Sequence, residues 1–290
     1  MQPVLPPTQW NNHCLTWGGR TYVMGIVNIT PDSFSDDGLM KNAFTEDELI
    51  YHAIEQAQRF VAEGATFIDI GGESTRPHAA PVTAQQELAR VIPVIRALRE
   101  TLPPEALISI DTYKAGVAER ALEAGACIVN DISGLRQDPA MAAVAAEHGV
   151  PVVLMANMRG QQKREIVSDV LRLLAGSIER ALAAGIAWER IIVDPGIGFG
   201  LTVEEDLTMQ RRLGELRALG RPILLGTSRK SHIGRVLGGL PISERLEGTA
   251  ATVALGIAQG ADIVRVHDVR AMMRVVRMSD AIVRGTFEAS

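Results

Sequence analysis

Eight times along this 290-residue chain a short apolar run gives way to glycine or proline and then to a stretch of helical periodicity. Most of the runs end on a polar or charged residue: Asn28, Asp69, Asp111, Asn130, Met155, Asp194, Gly226 (with Ser228, Arg229 and Lys230 just past it) and His267. The runs at 22–28, 66–70, 107–111, 127–131, 152–155, 191–194, 223–225 and 263–266 are rich in Val and Ile and apolar almost throughout. Strands buried on both faces read this way. Between them, Leu49, Ile50, Ala53, Ile54, Ala57, Phe60 and Val61 fall at helical spacing, as do Leu88, Val91, Ile92, Ile95 and Leu98. Gly64, Gly125 and Gly260 each precede a strand and suit left-handed helix stops. The alternation predicts an α/β chain, a (β/α)8 TIM barrel whose run ends share the face where barrel active sites are built. An Asp or Asn at a barrel strand end needs a reason beyond packing.

The expected organisation is a flexible tail over 1–12 and a single barrel domain over 13–290. Residues 13–16 and 22–28 flank Trp17-Gly18-Gly19-Arg20, which reads as a hairpin able to plug the amino-terminal mouth. Two strand-to-helix loops are long, from Asn28 to about Phe44 and from Gly71 to about Thr83. Both are dense in Gly, Pro, Ser and Asp, and long loops in compact domains tend to be functional.

A net charge of −5 argues against a nucleic-acid partner. Cys14 and Cys127 lack zinc-ligand spacing and suggest no disulfide framework. The first residues lack a signal-peptide pattern, and no apolar run approaches the roughly 18 residues of a membrane span. A cytoplasmic location and no membrane partner are the expectation.

Asp194, Asn130 and Asp111 offer acceptors to a heterocycle with donors along one edge, such as a pterin or guanine ring. An Asp at position 194 also suits a cap on the turn that follows it. Lys230 suits a carbonyl or imine nitrogen on the opposite ring edge. Alternation places Arg265 and His267 on one side of their strand, a pairing suited to a phosphate or diphosphate. Asn28 suits Mg2+ shared with that anion. Arg76, in Gly71-Gly72-Glu73-Ser74-Thr75-Arg76-Pro77, lies on a loop able to close over the same point, although a solvated turn reads alike. No nucleotide-hydrolase phosphate loop, dinucleotide fingerprint or Ser-His-Asp context is present.

Seven segments carry a closer identification: MGIVNITPDSFSDDG (24–38), DIGGESTRP (69–77), SIDT (109–112), VND (129–131), VDPGIGFG (193–200), GTSRKS (226–231) and RVHD (265–268). In order and spacing they closely resemble the dihydropteroate synthase family, over roughly residues 13 to 284. That resemblance implies a homodimeric, Mg2+-dependent transferase of folate biosynthesis and a sulfonamide target. The implied reaction joins (7,8-dihydropterin-6-yl)methyl diphosphate to p-aminobenzoate, giving 7,8-dihydropteroate and pyrophosphate. It implies pterin contacts from Asp111, Asn130, Asp194 and Lys230, with Met155 and Gly226 beside them. It implies diphosphate contacts from Arg265, His267, Arg76 and Asn28, with Mg2+ at Asn28. The p-aminobenzoate pocket is implied at Phe34, Thr75, Pro77, Phe199, Lys230 and Ser231. Asp111, Lys230, Arg265 and His267 would carry the catalysis.

Two positions depart from the family pattern. Ala156 and Asn157 follow Leu154-Met155 where a His is frequent, and Leu201 follows Gly200 where many members carry Lys. Two rival readings are a corrinoid methyltransferase using methyltetrahydrofolate and a non-catalytic pteridine-binding paralogue. The first has no use for a diphosphate site; the second would be expected to lose an anion or loop residue.

Overall fold

The computed structural model describes residues 5–30, 45–74 and 80–287. Eight parallel strands form one sheet: β3 (Tyr22–Asn28), β4 (Phe67–Gly71), β5 (Leu107–Asp111), β6 (Ile128–Asp131), β7 (Val152–Met155), β8 (Ile191–Asp194), β9 (Leu224–Leu225) and β10 (Ile263–Val266). Their order runs β8-β7-β6-β5-β4-β3-β10-β9, and a single parallel bridge between Val193 and Ile223 joins β8 to the start of β9. This closes the expected (β/α)8 TIM barrel.

Each barrel strand feeds a helix. In chain order these are α1 (Glu46–Ala62), α2 (Ala84–Thr101), α3 (Ala115–Glu123), α4 (Met141–Glu147), α5 (Ile166–Ala183), α6 (Val203–Arg211), α7 (Ser231–Val236), α8 (Leu246–Ala258) and α9 (Val269–Arg284). β9 is followed by both α7 and α8. Thr45, Thr83 and Thr202 start α1, α2 and α6 through capping boxes closed by Glu48, Gln86 and Glu205. Each cap contributes about 1 kcal/mol and fixes where a loop returns to regular structure. Gly64, Gly125 and Gly260 all have positive φ, as the predicted helix stops require.

The strands are buried on both faces. Met24, Ile68, Ile70, Ile108 and Ile110 are fully enclosed, and each such side chain contributes about 1.5–3 kcal/mol. No helix among the described residues is long and apolar enough to cross a membrane.

The amino-terminal hairpin forms one strand earlier than the sequence suggests. β1 (Thr8–Trp10) pairs antiparallel with β2 (His13–Leu15) around Asn11, whose φ is 45°. The expected pairing of 13–16 with 22–28 cannot form, because β10 and β4 already occupy both edges of β3. The left-handed position falls on Asn, which tolerates it. Within the expected flexible tail over 1–12, Thr8–Trp10 is a strand, and Trp10 is buried.

This hairpin sits against the amino-terminal ends of the barrel strands. Thr8 Oγ1 donates to the Glu189 carbonyl at 2.6 Å and accepts the Trp17 indole N–H at 3.1 Å. Trp17 meets Tyr22 edge-on, and Tyr22 meets Phe67 in the same way, at the starts of β3 and β4.

Candidate active site

Strand register sets the first row of site residues. Asn28 pairs with Gly71, Gly71 with Asp111, and Asp111 with Asn130, so β3, β4 and β5 end at one level and β6 runs one residue beyond it. Gly71 keeps this row open. A Cβ there would lie 3.2 Å from Asn28 Oδ1 and 3.6 Å from the Asp111 Cβ.

Beneath the row lies Asp69, fully buried on β4. Its Oδ2 accepts the Asn130 side-chain amide at 3.0 Å and Arg265 Nε at 2.6 Å. A second Arg265 nitrogen, Nη2, donates to Asp111 Oδ2 at 2.6 Å. The Asp69 carboxylate demands a donor, so the Asn130 amide nitrogen must face it, leaving the Asn130 carbonyl oxygen as a ligand acceptor. The sequence shows Asp69 at a run end but not its partners across the barrel.

Asp194 ends β8 and accepts the Gly196 N–H at 2.7 Å, the turn-capping role open to it from sequence. That bond uses Oδ1, while Oδ2 faces the interior. A Cβ on Gly226 would lie 3.9 Å from Asp194 Oδ2, 3.9 Å from Lys230 Nζ and 3.8 Å from the Arg265 Cβ. Acceptor, ammonium and guanidinium stem therefore converge on one small volume at one mouth. Lys230 also donates to the Ile197 carbonyl and lies 4.9 Å from the centre of the Phe199 ring.

Arg265 and His267 flank the fully buried Val266, and both are half-buried. Ser228 Oγ accepts the His267 backbone N–H at 3.1 Å and lies 3.0 Å from its Nδ1. Ser228 thus fixes the ring beside the cup. Ser231 opens α7, directly after Lys230, and Met155 is buried at the end of β7. Phe34, Thr75, Arg76 and Pro77 lie outside the described residues.

Burial shapes the charges. It pushes the Asp194 carboxyl up, against the pull of Lys230 and the Gly196 N–H. It raises Asp111 too, opposed by Arg265 and reinforced by Asp69, Glu87 and Asp131. Burial opposes the Arg265 cation, but Asp69 and Asp111 more than offset this and hold it above the ordinary arginine value. Lys230 goes the other way: burial brings its ammonium down to about 8, despite Asp194 and Asp206. The result is a cup of carboxylates and cations held out of bulk water, where charge interactions are strong.

The two departures have local explanations. Ala156 is buried, and Asn157 uses its Oδ1 to accept the Arg159 backbone N–H at 3.2 Å. Leu201 packs against the core, while Lys163 from the neighbouring loop donates to the Gly200 carbonyl at 2.9 Å and pairs with Glu205. A cation therefore reaches this loop from the loop that follows β7.

Fold and cup together define a parallel-barrel enzyme of the pterin-binding class, and the family model described as pterin binding enzyme matches residues 24–267. A dihydropteroate synthase of Bacillus subtilis is 49% identical over 268 residues, covering 92% of this chain and 90% of the relative. The Xanthomonas albilineans dihydropteroate synthase solved with 4-aminobenzoic acid has a TM-score of 0.86 at 39% identity, covering 96% of this chain and 98% of that one. The same organism's enzyme solved with 7,8-dihydropteroate has a TM-score of 0.84 at 37% identity, with the same coverage. This chain belongs to the dihydropteroate synthase family.

Proposed function

We infer that this chain condenses (7,8-dihydropterin-6-yl)methyl diphosphate with p-aminobenzoate, releasing pyrophosphate and 7,8-dihydropteroate. The observation that carries this reading is the convergence of Asp194 Oδ2, Lys230 Nζ and the Arg265 stem over Gly226. Asp194, Asn130 and Asp111 accept hydrogen bonds from the donor edge of the pterin. Lys230 donates to its other edge, with Met155 and Gly226 beside the ring. Arg265, with N–H donors beyond those engaged by Asp69 and Asp111, meets the diphosphate together with His267 and Arg76.

The C–O bond breaks largely before attack, as Arg265 and His267 stabilise the charge growing on the leaving group. Asp111 and Asp194 provide negative potential near the pterin methyl cation that forms. The p-aminobenzoate amine then attacks, its ring beside Phe199 and its carboxylate near Ser231 and Lys230; the family resemblance adds Phe34, Thr75 and Pro77, outside the described residues, to this pocket. No covalent enzyme intermediate is required.

Among the described residues no cluster of three or more His, Cys, Asp or Glu is arranged to hold a metal. A single amide oxygen, Asn28 Oδ1, fits a hard cation that keeps water and takes most of its ligands from phosphate. Mg2+ held there with the diphosphate would supply charge neutralisation at the leaving group. The chain pairs as a homodimer through α8 and α9, where Leu255, Met278 and Ile282 are exposed on packed neighbours; a monomeric mass in solution would refute that.

The assay combines purified protein with the dihydropterin diphosphate, Mg2+ and p-aminobenzoate, and follows pyrophosphate. Release dependent on both substrates is expected. Pterin binding without release would favour a binding paralogue. Methyl transfer from methyltetrahydrofolate to a corrinoid would favour the other barrel enzyme.

A further inference from the structure

Behind Lys230 lies a buried group that the reaction as described leaves unused. Asp206, on the first turn of α6, is 2% exposed, and its Oδ1 accepts the Gly198 backbone N–H at 2.7 Å. The carbonyl of that same peptide unit, on Ile197, accepts the Lys230 ammonium. One peptide plane is therefore gripped from opposite sides, by a carboxylate at its nitrogen and an ammonium at its oxygen. We propose that Asp206 is a positioning residue for Lys230, acting through the Ile197–Gly198 peptide that both of them hold.

The local structure explains why such a grip is needed. Gly198 has a φ of +79°, and a Cβ there would lie 3.1 Å from Lys230 Cδ. Only glycine brings the lysine stem this close, yet glycine leaves the peptide free to rotate. The Asp206 carboxylate removes that freedom. By accepting the N–H it also polarises the carbonyl, strengthening the bond to Lys230.

The surroundings keep Asp206 in place. Gln210 Nε2 donates to the Asp206 backbone carbonyl at 3.2 Å and lies 3.1 Å from His232 Nε2. His232 Nδ1 sits 3.8 Å from Asp206 Oδ2. Burial, with Lys230 and Arg245, brings His232 down to about 4, so it stays neutral and does not compete with Lys230 for the carboxylate.

Burial raises Asp206 itself to about 6, against the Gly198 N–H, Lys230 and Lys163, with Glu205 adding to the rise. Around Lys230, Asp194 and Asp206 favour the ammonium, while burial, Arg265 and Arg159 oppose it. Asp206 is thus both a geometric and an electrostatic support, and it is ionised at neutral pH.

The proposal rests on Lys230 donating to a pterin, so its test reads pterin binding, apart from the pyrophosphate assay above. The affinity of 6-hydroxymethylpterin is measured from neutral to alkaline pH for the wild type, Asp206→Asn, Asp206→Ala, Lys230→Met and Asp206→Asn combined with Lys230→Met. Wild-type affinity should fall as pH rises through about 8, where the ammonium is lost. The pterin's own titration is common to all five proteins, so differences between them are the signal.

Asp206→Asn keeps an oxygen for the Gly198 N–H but removes the charge, and should move the alkaline limb down by about half a pH unit or more. Asp206→Ala should weaken pterin about tenfold. Should that variant fail to fold, the isosteric Asn variant still decides the matter. On the Lys230→Met background Asp206→Asn should change affinity less than about twofold. An unmoved alkaline limb, or an equal effect of Asp206→Asn with and without Lys230, overturns the proposal. A wild type that binds no pterin sinks the functional reading and this proposal together. Pterin binding without pyrophosphate release sinks only the reaction.

Discussion

The two mouths of the barrel solve opposite problems with the same eight strands. At the amino-terminal mouth the chain seals the ends with bulk: Trp17, Tyr22 and Phe67 are buried beneath a hairpin that buries its own Trp10 and is tied down by Thr8. At the carboxyl mouth it places Asp69, Asp111, Asp194, Lys230 and Arg265 around an open point. Buried charge costs desolvation that only good partners offset. The amino-terminal closure therefore belongs to stability, while the carboxyl cup puts part of its interaction energy at the disposal of a ligand.

That division can be broken from either side. The largest effect is expected from Trp10→Ala, which should cost about 3–5 kcal/mol of stability in urea unfolding. The folded fraction should retain kcat/KM within about twofold, the ordinary scatter for a change remote from the chemistry. Loss of activity beyond that would mean the hairpin sets cup geometry. Next, Arg265→Ala should lower kcat for pyrophosphate release by about 10²–10³-fold, the usual cost of one charge-stabilising donor. It also leaves Asp69 and Asp111 without their cation, so the mutant should unfold earlier as well. The smallest effect sharpens the contrast. Thr8→Val strands the Trp17 indole N–H and the Glu189 carbonyl, and should cost about 1–3 kcal/mol of stability without altering KM for either substrate.

Much of this was legible in the sequence because a barrel strand is short, apolar and local. All eight runs became strands, and Asn28, Asp111, Asn130 and Asp194 stand at strand ends as the periodicity implies. The long loops likewise return to helix at Thr45 and Thr83, through capping boxes encoded within four residues. What local pattern does not encode is partnership. Residues 13–16 were free to pair with 22–28 until β10, more than two hundred residues away, is seen to take that edge. Asp69 and Arg265 are 196 residues apart, and nothing near either predicts their ion pair. Asp206 reads as an ordinary acid in the first turn of a helix, a common and favourable placement. Its second role emerges only when the Gly198 peptide lies against it.

The barrel wall has one thin seam. The barrel closes between β8 and β9 by a lone bridge at Val193 and Ile223, backed by the Val193 N–H to the Pro222 carbonyl at 2.9 Å. Asp194 stands on one bank of that seam, and Gly226 with Lys230 on the other. A guest bound to both banks would add its contacts across the thinnest part of the wall, and by mass action would stabilise the closed barrel.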